Sequence, residues 1–344
     1  MKNLKLTIFS AIFLAFSALT SCTKEGITVP VVVPVPPAPP APPASTANAI
    51  YYVDSAKIYS TSSTGTNRRL VAGIDTLNPN SYIGSMVRSN DGNKLYFLHY
   101  ISAGTPGGTP VIKLYGVNKD GTGLTMLKNM PNISLAYELL KATTDNKIVF
   151  YQNAFTPFTT VVKTLQIINA DGTNQTALAT LPAVNSYTFG LSSVINRYAS
   201  IDFTGGATIL QTGTITGNTI GAPVNIGTTN GINGSSLSND GSKIAYLKVN
   251  AAGIVEIYVY DVATATSQLK FTHTVVAGIS LISDYSVLLR WVAGTDKILL
   301  GYGKYAQPSG SASDFTQVTL YTLSNSAEVT WRYEGDRIFT IVTE

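Results

Sequence analysis

A short pattern returns along this chain at intervals of about 45 to 50 residues, a spacing typical of stacked structural repeats. Its clearest copy runs Ser238-Asn239-Asp240-Gly241-Ser242-Lys243-Ile244-Ala245-Tyr246 and continues into Glu256-Ile257-Tyr258-Val259-Tyr260-Asp261. A second copy is Ser89-Asn90-Asp91-Gly92-Asn93-Lys94-Leu95-Tyr96-Phe97, followed by Lys113-Leu114-Tyr115-Gly116-Val117. Looser copies begin at Thr144-Asp145-Asn146-Lys147 and Gly294-Thr295-Asp296-Lys297. Each copy reads as a tight polar turn, an apolar strand, a second strand alternating aromatic and aliphatic residues, and a further turn. A short fourth element such as Leu124-Thr125-Met126-Leu127 then follows. Asp and Gly suit such turns because Asp caps the local backbone and Gly accepts positive φ.

One such antiparallel meander cannot bury both of its faces. Several stacked radially can, and the stacking also leaves only short exposed edges. The pattern Ser-x-Asp-Gly-x-Lys-Ile-Ala-Tyr…Ile-Tyr-Val-Tyr-Asp at Ser238 to Asp261 resembles the TolB-like β-propeller repeat, sometimes grouped with WD-like repeats. The resemblance spans most of residues 49–344 and is poorest between Phe189 and Ile226, where a degenerate blade is expected. It implies an all-β propeller of about six four-stranded blades, with seven as the alternative. Ile50-Tyr51-Tyr52-Val53 looks like a blade lacking its opening strand. Val329 to Phe339 looks like the opening strand and turn of one more, so pairing the two ends would close the ring near Trp331 and Tyr51.

The N-terminus gives an address. Lys2 and Lys5 precede an apolar stretch from Leu6 to Leu19, too short to span a bilayer comfortably and suited to a signal-peptide core. Leu19-Thr20-Ser21-Cys22 then resembles the lipobox of bacterial lipoproteins, which implies lipidation of the Cys22 thiol and cleavage before it. The rival reading is an ordinary signal peptide with an incidental cysteine. Cys22 is the chain's single cysteine, so no intramolecular disulfide can form. Thr23, rather than Asp, follows it, which in the Gram-negative sorting pattern favours the outer membrane and leaves its periplasmic and surface faces both open.

Val29 to Pro43 reads VPVVVPVPPAPPAPP. Proline at this density removes ladder donors and favours an extended polyproline rod of about 3.1 Å per residue. A spacer between lipid and domain is the reading adopted over a ligand for a proline-recognising module. The organisation expected is therefore a signal peptide over 1–21, a lipidated tether over 22–48 and a propeller over 49–344.

Composition narrows the function. Charged residues make up 12% of the chain, against about 25% in average domains. The formal charge of +4 falls to about +2 once Lys2 and Lys5 are removed, and Arg68-Arg69 is the one adjacent basic pair beyond the leader. That is too little for a nucleic-acid partner. No cofactor or metal site is expected. With one cysteine and only His99 and His273, structural zinc has no ligand set. The Asp-Gly pairs at Asp91, Asp120, Asp171 and Asp240 lack the ligand density of a calcium loop. Both histidines read as surface or satisfied strand residues, and no catalytic residue is assigned. The role expected is a non-enzymatic binding or scaffold module in the cell envelope, held by lipid on Cys22, with a protein, peptide or glycan partner. The association of TolB-like proteins with envelope complexes favours a protein. The alternative is a carbohydrate-active hydrolase or lyase, which would need two carboxylates converging in the central channel.

Overall fold

The structure is a computed structural model. It describes residues 50–343 apart from 63–64, 103–109, 132–134, 155–161, 181–187, 205–206, 230–231, 251–253, 275–287, 293–294, 304–314 and 335–337. Cys22, its leader and the proline tether lie outside the described residues.

Six antiparallel sheets account for the described strands. Blade 1 holds β1 (Ile50–Asp54), β2 (Lys57–Thr61) and β3 (Arg69–Gly73). Blade 2 holds β4 (Ser81–Arg88), β5 (Lys94–Ile101), β6 (Val111–Asn118) and β7 (Thr125–Asn129). Blade 3 holds β8 (Leu135–Ala142), β9 (Lys147–Ala154), β10 (Val162–Asn169) and β11 (Thr176–Thr180). Blade 4 holds β12 (Thr188–Leu191), β13 (Arg197–Thr204), β14 (Ala207–Thr216), the two-residue β15 (Thr219–Ile220) and β16 (Val224–Thr229). Blade 5 holds β17 (Ile232–Leu237), β18 (Lys243–Val249), β19 (Ile254–Asp261) and β20 (Thr266–Thr274). Blade 6 holds β21 (Leu288–Trp291), β22 (Lys297–Gly303), β23 (Phe315–Thr322) and β24 (Ala327–Glu334). The last strand, β25 (Ile338–Thr343), pairs with β1 and supplies the missing first strand of blade 1.

The opening strands touch in a closed cycle: β25 with β4, β4 with β8, β8 with β12, β12 with β17, β17 with β21, and β21 with β25. This cycle defines a six-bladed β-propeller whose channel is walled by first strands. Ring closure is as expected, but its register differs. Trp331 belongs to the outer strand of blade 6 and pairs with Val318, whereas Tyr51 pairs with Val342. Gly335-Asp336-Arg337-Ile338-Phe339 imitates the repeat's Asp-Gly-x-Lys-Ile turn, so the sequence suggests a second strand at a place where a first strand begins.

The core follows the ring. One apolar cluster sits at each blade interface: Ile58 with Leu95 and Phe97 between blades 1 and 2, and Leu98 with Ile148 and Phe150 between 2 and 3. Val149 and Leu165 meet Leu191 and Tyr198 between blades 3 and 4, and Ile201 and Leu210 meet Ile244 and Tyr246 between 4 and 5. Leu247 and Ile257 meet Ile298 and Leu300 between 5 and 6, and Ile50 and Tyr52 meet Leu299 and Val318 between 6 and 1. Stability is therefore distributed around the circle. Phe150→Ala, at a position with no exposed surface, is expected to cost about 3–5 kcal/mol, measurable as a lowered midpoint in urea unfolding.

The repeated turn has a fixed internal chemistry. The Ser89 hydroxyl donates to Asp91 Oδ1 at 2.6 Å and accepts from the Lys94 amide at 2.8 Å, while the Asn93 amide donates to the same Asp91 oxygen at 3.1 Å. Ser238, Asp240, Ser242 and Lys243 repeat this at 2.6, 3.0 and 3.0 Å. These bonds, the serine hydroxyl first, hold both aspartates below the usual carboxylate range. The degenerate blade keeps the frame without its aspartate: Ser192 caps the Asn196 and Arg197 amides at 3.2 Å, and Ile195 takes the positive φ. Gly121 and Gly172 do a second job in the turns between third and fourth strands. Both have positive φ, and a Cβ there would stand 2.4 Å from the Val71 carbonyl oxygen or 2.3 Å from that of Leu127 in the preceding blade. Only glycine lets the blades approach so closely.

Candidate functional site

First strands of neighbouring blades splay apart and cannot form a continuous ladder, so some of their edge amides need other acceptors. Serine hydroxyls supply them. The Leu139 amide of β8 donates to Ser85 Oγ of β4 at 3.1 Å, and the Trp291 amide of β21 donates to Ser236 Oγ of β17 at 2.8 Å. Small hydroxyl and glycine residues at the channel wall come chiefly from β4 and β17. Against that background four charged residues stand out on the six first strands: Arg88, Glu138, Lys141 and Arg290.

Arg88 lies over its own turn, its Nε donating to the Gly92 carbonyl at 3.0 Å. The other three come together. The Tyr151 hydroxyl of β9 donates to Glu138 Oε2. Lys141 Nζ reaches past blade 4 and donates to Asn239 Oδ1 in the first turn of blade 5. Arg290, on the blade diametrically opposite blade 3, interacts electrostatically with Glu138, Tyr151 and Lys141. The bridging turns are themselves linked, the Ser193 amide donating to the Asn239 carbonyl at 2.8 Å.

Arg290 and Lys141 keep part of their surface open to water, yet desolvation dominates both. It pulls Arg290 below its ordinary range, against the pull of Glu138 and Tyr151. Burial, and then the neighbouring Arg290, bring the Lys141 ammonium down to about 8. Tyr151 is pushed far up, by burial first and by the Glu138 carboxylate second, so it stays protonated as a donor. Beside this cluster a cleft of about 630 Å³ opens between blades 5 and 6, lined among others by Asn239, Asp240, Lys243, Lys270, Trp291 and Asp296. Asn239 belongs to both places.

The residues singled out from sequence fall elsewhere. Both histidines are buried, at 1% exposure for His99 and 9% for His273, so neither is a surface residue. His99 Nε2 lies 2.5 Å from Ser81 Oγ. His273 is a polar node between blades 5 and 6, with Nε2 2.9 Å from the Tyr302 hydroxyl and Nδ1 2.7 Å from that of Tyr321. A neutral ring meets both: one tyrosine donates to the bare nitrogen and the other accepts from the N–H. Desolvation lowers the pKa of each histidine in the fold. The unfolded chain, with ordinary histidines near 6.5, then binds protons that the folded chain refuses. Stability is thus full above about pH 6.5 and falls as the pH drops below it. The melting temperature is expected to decline from pH 7 to pH 5, with a shallower decline in His273→Leu.

The basic pair is engaged. Arg68 lies 4.0 Å over the Tyr59 ring and 3.5 Å from Asp54, and Arg69 donates to the Lys119 carbonyl at 3.1 Å. Asp120 and Asp171 each accept their own turn's threonine amide at 2.9 Å. Among the described residues no group of three His, Cys, Asp or Glu side chains is placed to hold a metal. Sequence reasoning missed Glu138, Lys141 and Arg290 because each repeat copy was read from its first turn onward, while Asn239 was read only as part of its turn and Tyr151 lies just past the run read from Lys147 to Phe150. The strand before the turn, where a charge replaces a small residue, carried the signal.

The chain is thus a six-bladed β-propeller with a charged bridge across its channel. No protein-family model and no curated protein sequence matches it. Solved structures do share its fold. TolB from Acinetobacter baumannii matches at 11% identity and a TM-score of 0.54, over 86% of this chain and 66% of that one. A candidate TolB from Agrobacterium tumefaciens matches at 12% identity and 0.54, over 87% and 97%. An oligogalacturonate lyase in complex with manganese matches at 14% identity and 0.50, over 81% and 74%. At such identities the likeness establishes the fold alone, and these neighbours include both a lyase and TolB proteins.

Proposed function

We propose that this chain is a lipid-anchored binding or scaffold module of the cell envelope, held through Cys22 and presenting its propeller to a protein, peptide or glycan. The observation that carries the binding role is the make-up of the channel wall. Among the described residues its first strands bear a single carboxylate, Glu138, which accepts from the Tyr151 hydroxyl and interacts electrostatically with Arg290. Hydrolysis of a glycoside by the usual route asks for two carboxylates about 5 to 9 Å apart. The aspartates of the neighbouring cleft are committed to the backbone, Asp240 to its own turn and Asp296 to the Ser324 amide at 3.0 Å. The lipobox-like Leu19-Thr20-Ser21-Cys22 and the proline tether support the anchored, outer-membrane location. The TolB-like repeat supports a protein partner over a small molecule.

The test uses the detergent-solubilised full chain, offered to envelope extract and to a glycan array. Saturable capture of one partner is expected, lost when Lys243 and Lys270 on the cleft are both changed to Glu. Blank arrays together with no specific envelope partner would overturn the reading.

A further inference from the structure

We propose that the channel binds a carboxylate brought by a ligand, held between Lys141 of blade 3 and Arg290 of blade 6. The inference deepens the binding-module reading and rests on it. Two basic side chains and one acidic one meet in the bridge, so one formal positive charge is left over among them. Glu138 is already engaged by Tyr151 and faces Arg290. Lys141 has a neutral partner, the Asn239 amide oxygen. Among the described residues the hydrogen bond of the Arg290 guanidinium goes to the carbonyl of its own neighbour, Leu289, at 3.2 Å. A guanidinium carries five donors in a fork that matches a carboxylate. Two cations held beside each other in a desolvated place oppose one another, and an anion between them relieves both.

Geometry restricts the anion. The cations come from opposite walls, so the group that touches both must be slim and lie near the axis. The excess is one unit, which suits a monoanion. Glu138 serves as an internal precedent, since this same place already accommodates one carboxylate beside Arg290. A phosphate dianion would overcompensate the charge and meet Glu138 with repulsion.

The test titrates the full chain in detergent, by calorimetry at pH 7, with four probes: acetate, N-acetylglycylglycine, the amide of that dipeptide, and inorganic phosphate. The two carboxylates are expected to bind at one site, and the amide at least tenfold more weakly. Tighter binding of the dipeptide assigns the carboxylate to a chain end, and equal or tighter binding of acetate assigns it to a small acid; either result supports the site. Lys141→Met and Arg290→Gln are each expected to weaken binding at least tenfold. Glu138→Gln, which removes the competing carboxylate, is expected to tighten it at least threefold. Affinity is expected to fall from pH 7 to pH 9 as Lys141 loses its proton. Of the groups in the same cluster, Glu138 lies on β8, Arg290 on β21 and Tyr151 on β9, and burial keeps Tyr151 protonated over that interval.

Equal binding of acid and amide would overturn the proposal, and that comparison needs no variant. So would phosphate binding tighter than acetate, or a Lys141→Met chain that melts like wild type and binds unchanged. Failure here with an envelope partner still captured would leave the broader binding reading standing. Carboxylate binding without any envelope or glycan partner would do the reverse.

Discussion

A chain stopped at Arg337 is expected to lose its cooperative unfolding transition. The truncation removes β25 alone, yet that strand closes the cycle by touching both β4 and β21. Without it, β1 becomes an edge, and Ile50, Tyr51 and Tyr52, each no more than 3% exposed, lose cover beside them. Blade 1 would keep three strands, with a row of unpaired backbone groups facing the channel. The remaining contact between blades 6 and 1 rests on Ile50 and Tyr52 against Leu299 and Val318, and β1 would no longer be held in place to make it. The loss is of the order of the whole stability of an ordinary domain, about 5–15 kcal/mol. Differential scanning calorimetry of both chains measures it. A sharp transition within a few degrees of wild type would mean that the ring does not depend on its closing strand.

Cys22→Ser, expressed behind a leader that is cleaved without lipidation, is expected to move the protein from the membrane fraction to the soluble fraction and to abolish incorporation of labelled palmitate. Each buried methylene contributes about 0.8 kcal/mol to membrane attachment, so two or three acyl chains hold firmly where one chain is marginal. The proline tether offers no amphipathic face to replace them, since proline at that density does not form a helix. Carbonate-washed membranes and label incorporation read the outcome. Retention of Cys22→Ser in washed membranes, or label in that variant, would place the anchor elsewhere.

How much of this was legible in sequence depended on which strand carried the pattern. Second strands read as continuous apolar runs, as in Leu95 to Leu98, because both of their faces are buried, and third strands alternate, as in Ile254 to Asp261, because one face is buried more than the other. Their turns are marked by Asp and Gly for reasons internal to the turn. Blade count and ring closure followed from those elements. First strands share no common pattern: Ile232 to Leu237 is rich in Ser and Gly, whose hydroxyls meet splayed edges, while Leu135 to Ala142 is apolar with two charges. They give no periodic signal, so the channel residues went unseen and the closing strand was placed one element early. His273 is the satisfied strand histidine of the two alternatives expected, and its burial was hidden for another reason. Its strand is polar and exposed along most of its length, and only packing reveals that this one side chain turns inward between Tyr302 and Tyr321.

The central claim is that β25 pairs with β1 to close six blades into a ring. Cys22 is the chain's only cysteine, so in a Cys22→Ser background the pair Asp54→Cys and Ile338→Cys, opposite one another across that ladder, reports closure without ambiguity. Oxidation is expected to give near-complete intramolecular cross-linking, seen as a fast-migrating band that dithiothreitol removes. Two free thiols after oxidation of the folded protein would show the chain ends apart and contradict the ring.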